Sequence, residues 1–431
     1  MSSQSNFEVG FAEHEITAWV GKALMKQMLR AIQFVYERRE TNLVFYPKAS
    51  VEQSVVDETT AKPQDSSHLI YVVRRYGPVG GMERYVWELT LHLRQLGYQV
   101  TVICERCHVD KPQGIRVVEL GEVTPRPRWL AALRFDNRVS EWLASNPQPN
   151  SIVHSHERIS SQDISTFHGS IFAAVLDKPW WRLISFRIAM QLFLERRELT
   201  KSRLIVPNSQ RIKQQLTHYY PELAYKLTEP IKPGVTAGTF RENRNVPSDG
   251  GVIGFVGTEW KRKGLPLAVE IVKQLSIFRP HLKFVVLGAP ASKVKHLFAD
   301  CQFEYVLMGE NVQVNYSEFD VLLHPATTEP YGMVISEAMS AKVPVVVSCA
   351  CGACEDITPK SGSILPLISS IEAWVEALDH QLCRTQQVPQ FVRSWNEVVQ
   401  EYEEAYRVLD IKCTFELNRS PAAALPFYSG N

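Results

Sequence analysis

From Leu69 onward, short unbroken apolar runs alternate with stretches whose apolar residues recur at helical spacing. LIYVVRR, QVTVICE, IRVVEL, SIVHSHE and RLIVPNSQ occupy the first half of this region, and GVIGFVG, LKFVVLG, EYVLMG and DVLLHP the second. An unbroken apolar run, rather than an alternating one, is expected of a strand buried on both faces. Amphipathic stretches lie between the runs, among them Gly81–Leu96, Trp129–Ala144 and Leu265–Leu275. Such alternation predicts a parallel, doubly wound sheet with helices on its faces. It is interrupted once, by IKPGVTAGTFRENRNVPSDGG (231–251), whose Pro, Gly and polar residues mark a linker. The pattern therefore predicts an α/β chain with two such domains, over 67–235 and 250–393. A later helix, Ser394–Val408, carries Trp395, Val398, Val399, Tyr402 and Tyr406 at near-helical spacing, and 412–431 reads as a poorly ordered tail.

Residues 1–66 precede the first strand. Ile16, Val20, Leu24, Met28, Ile32 and Val35 recur at helical spacing, opposite Lys22, Lys26, Arg30, Gln33 and Glu37, so His14–Arg39 is predicted to be an amphipathic helix. It either packs on the body of the protein, the commoner outcome, or lies on anionic lipid. Gln53–Ser67 is polar and Pro-containing and reads as a linker. A second unusual segment is DKPWWRLISFRIAMQLFLERREL (177–199), in which Asp177 suits an N-cap and Pro179 a first turn. Trp180, Trp181, Phe186 and Phe193 mix there with Arg182, Arg187, Arg196 and Arg197 on a helix apolar almost all round. A buried core helix fits that pattern; so does an anchor on an anionic membrane surface, where indole and guanidinium settle among headgroups.

Composition narrows the classes. The 431 residues are 45 % apolar and 22 % charged, as in a globular enzyme, and the net charge of +1 gives no electrostatic case for nucleic acid. No run approaches the roughly 18–20 apolar residues of a membrane span. MSSQSNFEVGFAEHE lacks the basic and apolar regions of a signal peptide, so a cytoplasmic, reducing location is expected, with the eight cysteines as thiols. Cys104/Cys107 and Cys351/Cys354 have zinc-site spacing, but no His cluster accompanies them, and no metal is expected.

Chemistry concentrates in HPATTEPYGMVISEAMSAKVPVVVS, His324 to Ser348, a loop, helix, loop and strand. Pro330 and Gly332 break the chain before the helix, Glu329 precedes it and Glu337 lies inside it. A helix rises about 1.5 Å per residue, which puts Glu337 about 7 Å beyond the turn at Gly332, roughly the reach from a diphosphate to its ribose. Free N–H groups at Gly332, Met333 and Val334 would meet a phosphate at that helix start. Two surface acids flanking a helix start have the same spacing. In doubly wound sheets the ligand crevice lies outside the carboxyl ends of the strands. Gly80–Gly81, His154/His156 and His168 all fall at such ends.

The ordered set GGMER, FVG…KRKG, HPATTEPYGMVISEAMSAKVPVV and the late helix bearing Trp395, over residues 68–410, resembles the retaining GT-B glycosyltransferases of family 4. ERISSQDISTFHG and the Trp/Arg-rich segment after it look most like the lipopolysaccharide-core hexosyltransferases of that family. The resemblance implies two Rossmann-like domains facing a cleft, with 394–411 crossing back to the first. It implies a nucleotide diphosphate-sugar donor, UDP-linked, held mainly by the second domain, and a saccharide or glycolipid acceptor on the first. By resemblance Arg262 and Lys263 neutralise the leaving diphosphate, Glu337 accepts from the ribose hydroxyls, and Glu329 accepts from and orients the donor sugar. His168 would face the reacting sugar, and Gly80 and Gly81 would let backbone approach the phosphate or the acceptor from across the cleft. No cofactor is implied, and peripheral attachment to the inner face of a membrane follows from a glycolipid acceptor. Many relatives carry Arg where this chain has Thr258, so one phosphate contact is lost or supplied otherwise. Rival readings are an epimerase or phosphorylase of GT-B fold and a non-catalytic sugar-binding protein; no G-x-G-x-x-G opens either sheet as a dehydrogenase would require.

Overall fold

The computed structural model describes residues 68–417 apart from 125, 180–182, 184, 237 and 310–312, and side chains only as far as residue 409. The predicted helix at His14–Arg39, Trp180, Trp181 and Arg182 lie outside the described residues. Two six-stranded, wholly parallel sheets form the body. The first takes β1 (His68–Val72), β3 (Val100–Cys104), β5 (Ile115–Glu119), β6 (Ser151–Ser155), β7 (Ile164–Phe167) and β8 (Leu204–Pro207) in the order β5-β3-β1-β6-β7-β8. A two-strand parallel ribbon, β2 (Arg75–Tyr76) with β4 (Arg106–Cys107), prolongs β1 and β3. The second sheet takes β9 (Gly250–Val256), β10 (His281–Leu287), β11 (Glu304–Met308), β12 (Val321–His324), β13 (Val345–Ser348) and β14 (Gly362–Leu365) in the order β11-β10-β9-β12-β13-β14. Both orders reverse direction once, between β1 and β6 and between β9 and β12, and the crevice of such a sheet opens at that reversal.

Helices cover the faces for the reason their sequences give. In α1 (Gly81–Gln95) Tyr85, Val86, Leu89 and Leu93 are buried, one stripe of a 3.6-residue period. Helices α2 (Arg128–Ser145), α3 (Phe186–Lys201) and α4 (Gln210–Tyr219) complete the first domain. In the second, α5 (Leu265–Leu275), α6 (Met333–Ser340) and α7 (Ile371–Leu382) cover the sheet. The last helix, α8 (Trp395–Leu417), leaves the second domain and lodges in the core of the first, where Trp395, Val398, Val399, Tyr402 and Tyr406 pack with Tyr71, Tyr85 and Leu89. Gly234 admits it: a Cβ there would stand 2.8 Å from the Trp395 ring. A chain of buried hydroxyls and one imidazole fastens it. Tyr71 pairs with the Tyr406 hydroxyl, which meets His154 Nδ1 at 3.0 Å; His154 Nε2 meets Thr166 at 2.7 Å, and Thr166 reaches Tyr402 at 2.8 Å.

The segment around Asp177 differs from its reading as a helix start. Asp177 closes a 3₁₀ turn at Phe172–Asp177, and its carboxylate accepts from the Tyr219 hydroxyl. Lys178, which precedes Pro179, is extended, as residues before proline tend to be, and α3 starts only after Ser185. Nor is α3 apolar all round. Glu195 and Glu198 are buried on it and face Arg158, while Arg197 pairs with buried Asp136 and Arg196 with Glu222. These two arginines turn to the protein, not outward to lipid.

Candidate active site

A cleft of about 710 Å³ separates the domains, and the loops that follow β1, β7 and β8 on one side and β9, β10, β11 and β12 on the other line it. Its second-domain wall is organised by glycines. Gly332, at φ +98°, turns the chain into α6, and the first N–H groups of a helix have no intrahelical acceptor. Met333 and Val334 thus present theirs at the cleft, with Glu337 one turn further along the same wall. Gly264, at φ +82°, starts α5; a Cβ there would lie 2.0 Å from the Pro325 carbonyl oxygen. This tight approach carries Lys263 back over Gly257, where a Cβ would sit 2.1 Å from the lysine Cδ.

Glu329 is fixed through its backbone. Its N–H donates to the Ala350 carbonyl and its carbonyl accepts from Gly352 N–H, each at 3.0 Å. The carboxylate lies 3.3 Å from Arg262, 3.6 Å from His324 and 3.8 Å from Lys263. Burial alone would raise its pKa, but the adjoining imidazole and the two cations outweigh burial and bring it to about 2. It is therefore an anion at any physiological pH. Lys263, Glu329, Gly332, Met333, Val334 and Glu337, separated by as many as 74 positions in the chain, meet on one wall.

Arg262 departs from the sequence reading. It donates to the Glu259 carboxylate at 2.6 Å and to the Thr328 carbonyl at 2.5 Å, so it braces the Glu329 loop from behind and does not line the cleft. Adjacent residues in such a turn point apart, and Lys263 takes the cleft side.

On the opposite wall Gly80, Gly81 and His168 line the cleft. The carboxylate of Glu83 folds back over Gly80 to hold Arg75, and a Cβ on Gly80 would stand 2.2 Å from it and displace that carboxylate. Gly81 has open space above it. His168 is bound through Nε2 to His156 Nδ1 at 2.7 Å, and Tyr85 meets its ring edge-on at 4.7 Å. Burial lowers the pKa of His168 to about 3 and holds that of His156 well below its ordinary value, so the pair is neutral. The other nitrogen of His156 is buried without a partner among the described residues. A bare acceptor is a commoner defect than a bare donor, so Nδ1 of His156 carries the proton and donates to His168. His168 is then protonated at Nδ1. His154 lies deeper, in the hydroxyl chain beneath α8, and does not reach the cleft.

Two partners of Glu337 were invisible to sequence reasoning. Arg84, from the first turn of α1, reaches across the cleft to Oε1 at 2.7 Å, and the Tyr316 hydroxyl donates to Oε2 at 2.5 Å. GGMER carries Arg84 in plain view, but only the fold brings it to a carboxylate in the other domain. Among the described residues no group of three or more His, Cys, Asp or Glu side chains is placed to hold a metal ion.

The description "Glycosyltransferase Family 4" matches residues 79–236 and "Glycosyl transferases group 1" matches residues 237–386. A probable transglycosylase of Burkholderia thailandensis is 24 % identical over 306 residues, 67 % of this chain and 78 % of that protein. Among solved structures, WaaG, a glycosyltransferase involved in lipopolysaccharide biosynthesis, superposes with a TM-score of 0.62 at 17 % identity, over 78 % of this chain and 95 % of its own. Anabaena HepE in complex with UDP and glucose superposes with a TM-score of 0.55 at 15 % identity, over 79 % of this chain and 99 % of its own.

Proposed function

Because the chain belongs to the family 4 glycosyltransferases of GT-B fold, we propose that it moves a hexose, with retention, from a nucleotide diphosphate-sugar to a saccharide hydroxyl. The observation that carries this reading is the wall on which Glu329 stands between cations, beside Lys263 and the exposed N-terminus of α6, with His168 facing them. The diphosphate would lie on Lys263 and the N–H groups of Gly332, Met333 and Val334, where cation and helix terminus both favour an anion. Glu337 would accept from the ribose hydroxyls and Glu329 from the donor sugar, fixing its anomeric carbon. His168, a neutral Nδ1–H donor, would hold the sugar from the other side. As the glycosidic C–O bond breaks, the charge gathering on the diphosphate meets donors already in place, and no metal is invoked.

For retention we propose departure and attack on one face, the leaving phosphate oxygen taking the acceptor proton. Among the described residues the carboxylates that line the cleft, Glu329 and Glu337, both come from the second domain, which favours this over a covalent carboxylate route. A glycosyl-enzyme trapped at Glu329 would overturn it. We take the donor as UDP-linked, in line with the nucleotide bound to HepE. Thermal-shift measurement against UDP-, GDP- and ADP-sugars tests that, since a ligand that binds the folded state stabilises it by mass action. Sugar-nucleotide consumption without any acceptor would favour an epimerase instead, and Glu337→Ala with unchanged nucleotide affinity would favour a non-catalytic protein. For the acceptor we propose a glycolipid of lipopolysaccharide-core type at an anionic membrane surface, on the strength of Trp180, Trp181 and Arg182 in the sequence and the exposed Phe186 that opens α3. Full activity of a Trp180→Ala/Trp181→Ala variant on lipid acceptor, with no preference for anionic liposomes, would end that idea.

A further inference from the structure

The second-domain wall is short of positive charge for a diphosphate. Among the described residues Lys263 is the cation it contributes to the cleft, and it shares that wall with two carboxylates, Glu329 and Glu337. Arg262 faces Glu259 and the Thr328 carbonyl, and the residue directly after Gly257 on the cleft wall is the neutral Thr258. A nucleoside diphosphate would bring further negative charge to this wall.

The missing cation stands on the opposite domain. Arg84 lines the same cleft, its side chain is 36 % exposed, and its ion-pair partner is Glu337 across the gap. Its backbone is held in the first turn of α1, where its N–H donates to the Gly80 carbonyl at 2.9 Å. Glu337 lies four residues after Met333 on α6, about 6 Å along the helix axis from the N–H groups at its start. An arginine side chain is long, and its guanidinium can change partner by rotation about its own bonds. Arg75, the other first-domain arginine of the cleft among the described residues, is held by buried Glu83 through both Nε and Nη2.

We propose that Arg84 is a diphosphate-binding residue supplied by the first domain. In this structure it pairs with Glu337; when ribose hydroxyls take that carboxylate, the guanidinium passes to the diphosphate and bridges the two domains through the ligand. Guanidinium suits the task because its fork meets two phosphate oxygens at once. The inference rests on the assignment of Glu337 and Lys263 to the nucleotide made above, and adds a ligand to that site.

The test is nucleotide affinity of the full chain, by calorimetry for UDP, GDP and ADP and by saturation-transfer NMR for the matching nucleosides. Arg84→Ala should weaken the preferred diphosphate on the order of tenfold or more, flatten its salt dependence, and leave the nucleoside unchanged or tighter, because Glu337 has lost a competitor. Arg84→Lys should restore part of the diphosphate affinity. Diphosphate binding that is unchanged or tighter in Arg84→Ala overturns the proposal and leaves Arg84 a competitor only. Equal weakening of nucleoside and diphosphate also overturns it and makes the residue structural. Lys263→Ala and Glu337→Ala separate the two levels. If both bind as the wild type does, or if the wild type binds none of the three diphosphates, the assignment of the site itself fails; if both weaken binding and Arg84→Ala does not, only this inference fails.

Discussion

Glu329 shows what a buried carboxylate can become when the charge around it is fixed in advance. It is ionised because His324, Lys263 and Arg262 surround it, so substituting the neutral amide should remove charge without changing shape. Glu329→Gln is expected to lower kcat on the order of a hundredfold or more, the range seen when one preorganised polar group is removed. Nucleotide affinity, measured by calorimetry, should change little. His168 holds its neutral form down to about pH 3, so kcat should show no inflection from it between pH 5 and 8 in a steady-state pH profile. The pair Glu329 and Glu337 could be read from sequence because one turn and one helix join them, and a helix has a fixed rise. Arg84 could not, because 253 positions separate it from Glu337 and no local period relates them. Tyr316 stands with Val314 and Phe319 in the stretch NVQVNYSEFD, where nothing sets it apart as a partner of a distant carboxylate. Arg262 turns away from the cleft while Lys263 lines it, and a basic pair in a turn does not say which member faces inward.

At the scale of elements, the loops that carry these residues are tighter than the helices they join. Gly352 lies so close to the Glu329 loop that a Cβ would stand 2.0 Å from the Pro330 carbonyl oxygen. Gly352→Ala should therefore displace the loop and cut activity at least as strongly as stability, whereas Gly264→Ala, at positive φ and against Pro325, should cost about 1–3 kcal/mol in urea titrations. Trp395→Ala opens a cavity under α8 and should cost about 3–5 kcal/mol. Buried strands were legible as unbroken apolar runs, and α5 fell at the residues its period indicated. Helix α7 is less legible: Trp374, Leu378 and Leu382 mark its buried stripe, but acids and a histidine interleave them. Asp177 illustrates the reverse error: a good capping residue beside a proline is also a good turn residue, and the turn prevailed.

For the whole molecule, buried ionisable groups set the response to acid. Burial lowers the pKa of His154 and His168 to about 3 from an ordinary 6.5, and lowers His156 as well. Between those limits the unfolded chain binds more protons, so these residues lose stability as pH falls below 6.5. Burial raises Glu157 and Glu198 to about 7 from an ordinary 4.5; over that interval the folded chain binds more protons, and their effect opposes the histidines. Below 4.5 the opposition ends and Glu329, at about 2, begins to lose its own contribution. The urea midpoint should therefore change gently from pH 6.5 to 4.5 and fall steeply below.

The return of α8 has a consequence for the order in which this protein is made. Residues 68–207 leave the ribosome with a gap where Trp395, Tyr402 and Tyr406 belong, and the side chains that fill it are synthesised after the entire second domain. The usual sequence, in which the earlier domain finishes first, is inverted here. For the same reason a chimera that exchanges donor domains between relatives must be spliced twice, once in the 231–251 linker and again ahead of Trp395, so that α8 travels with the sheet it completes.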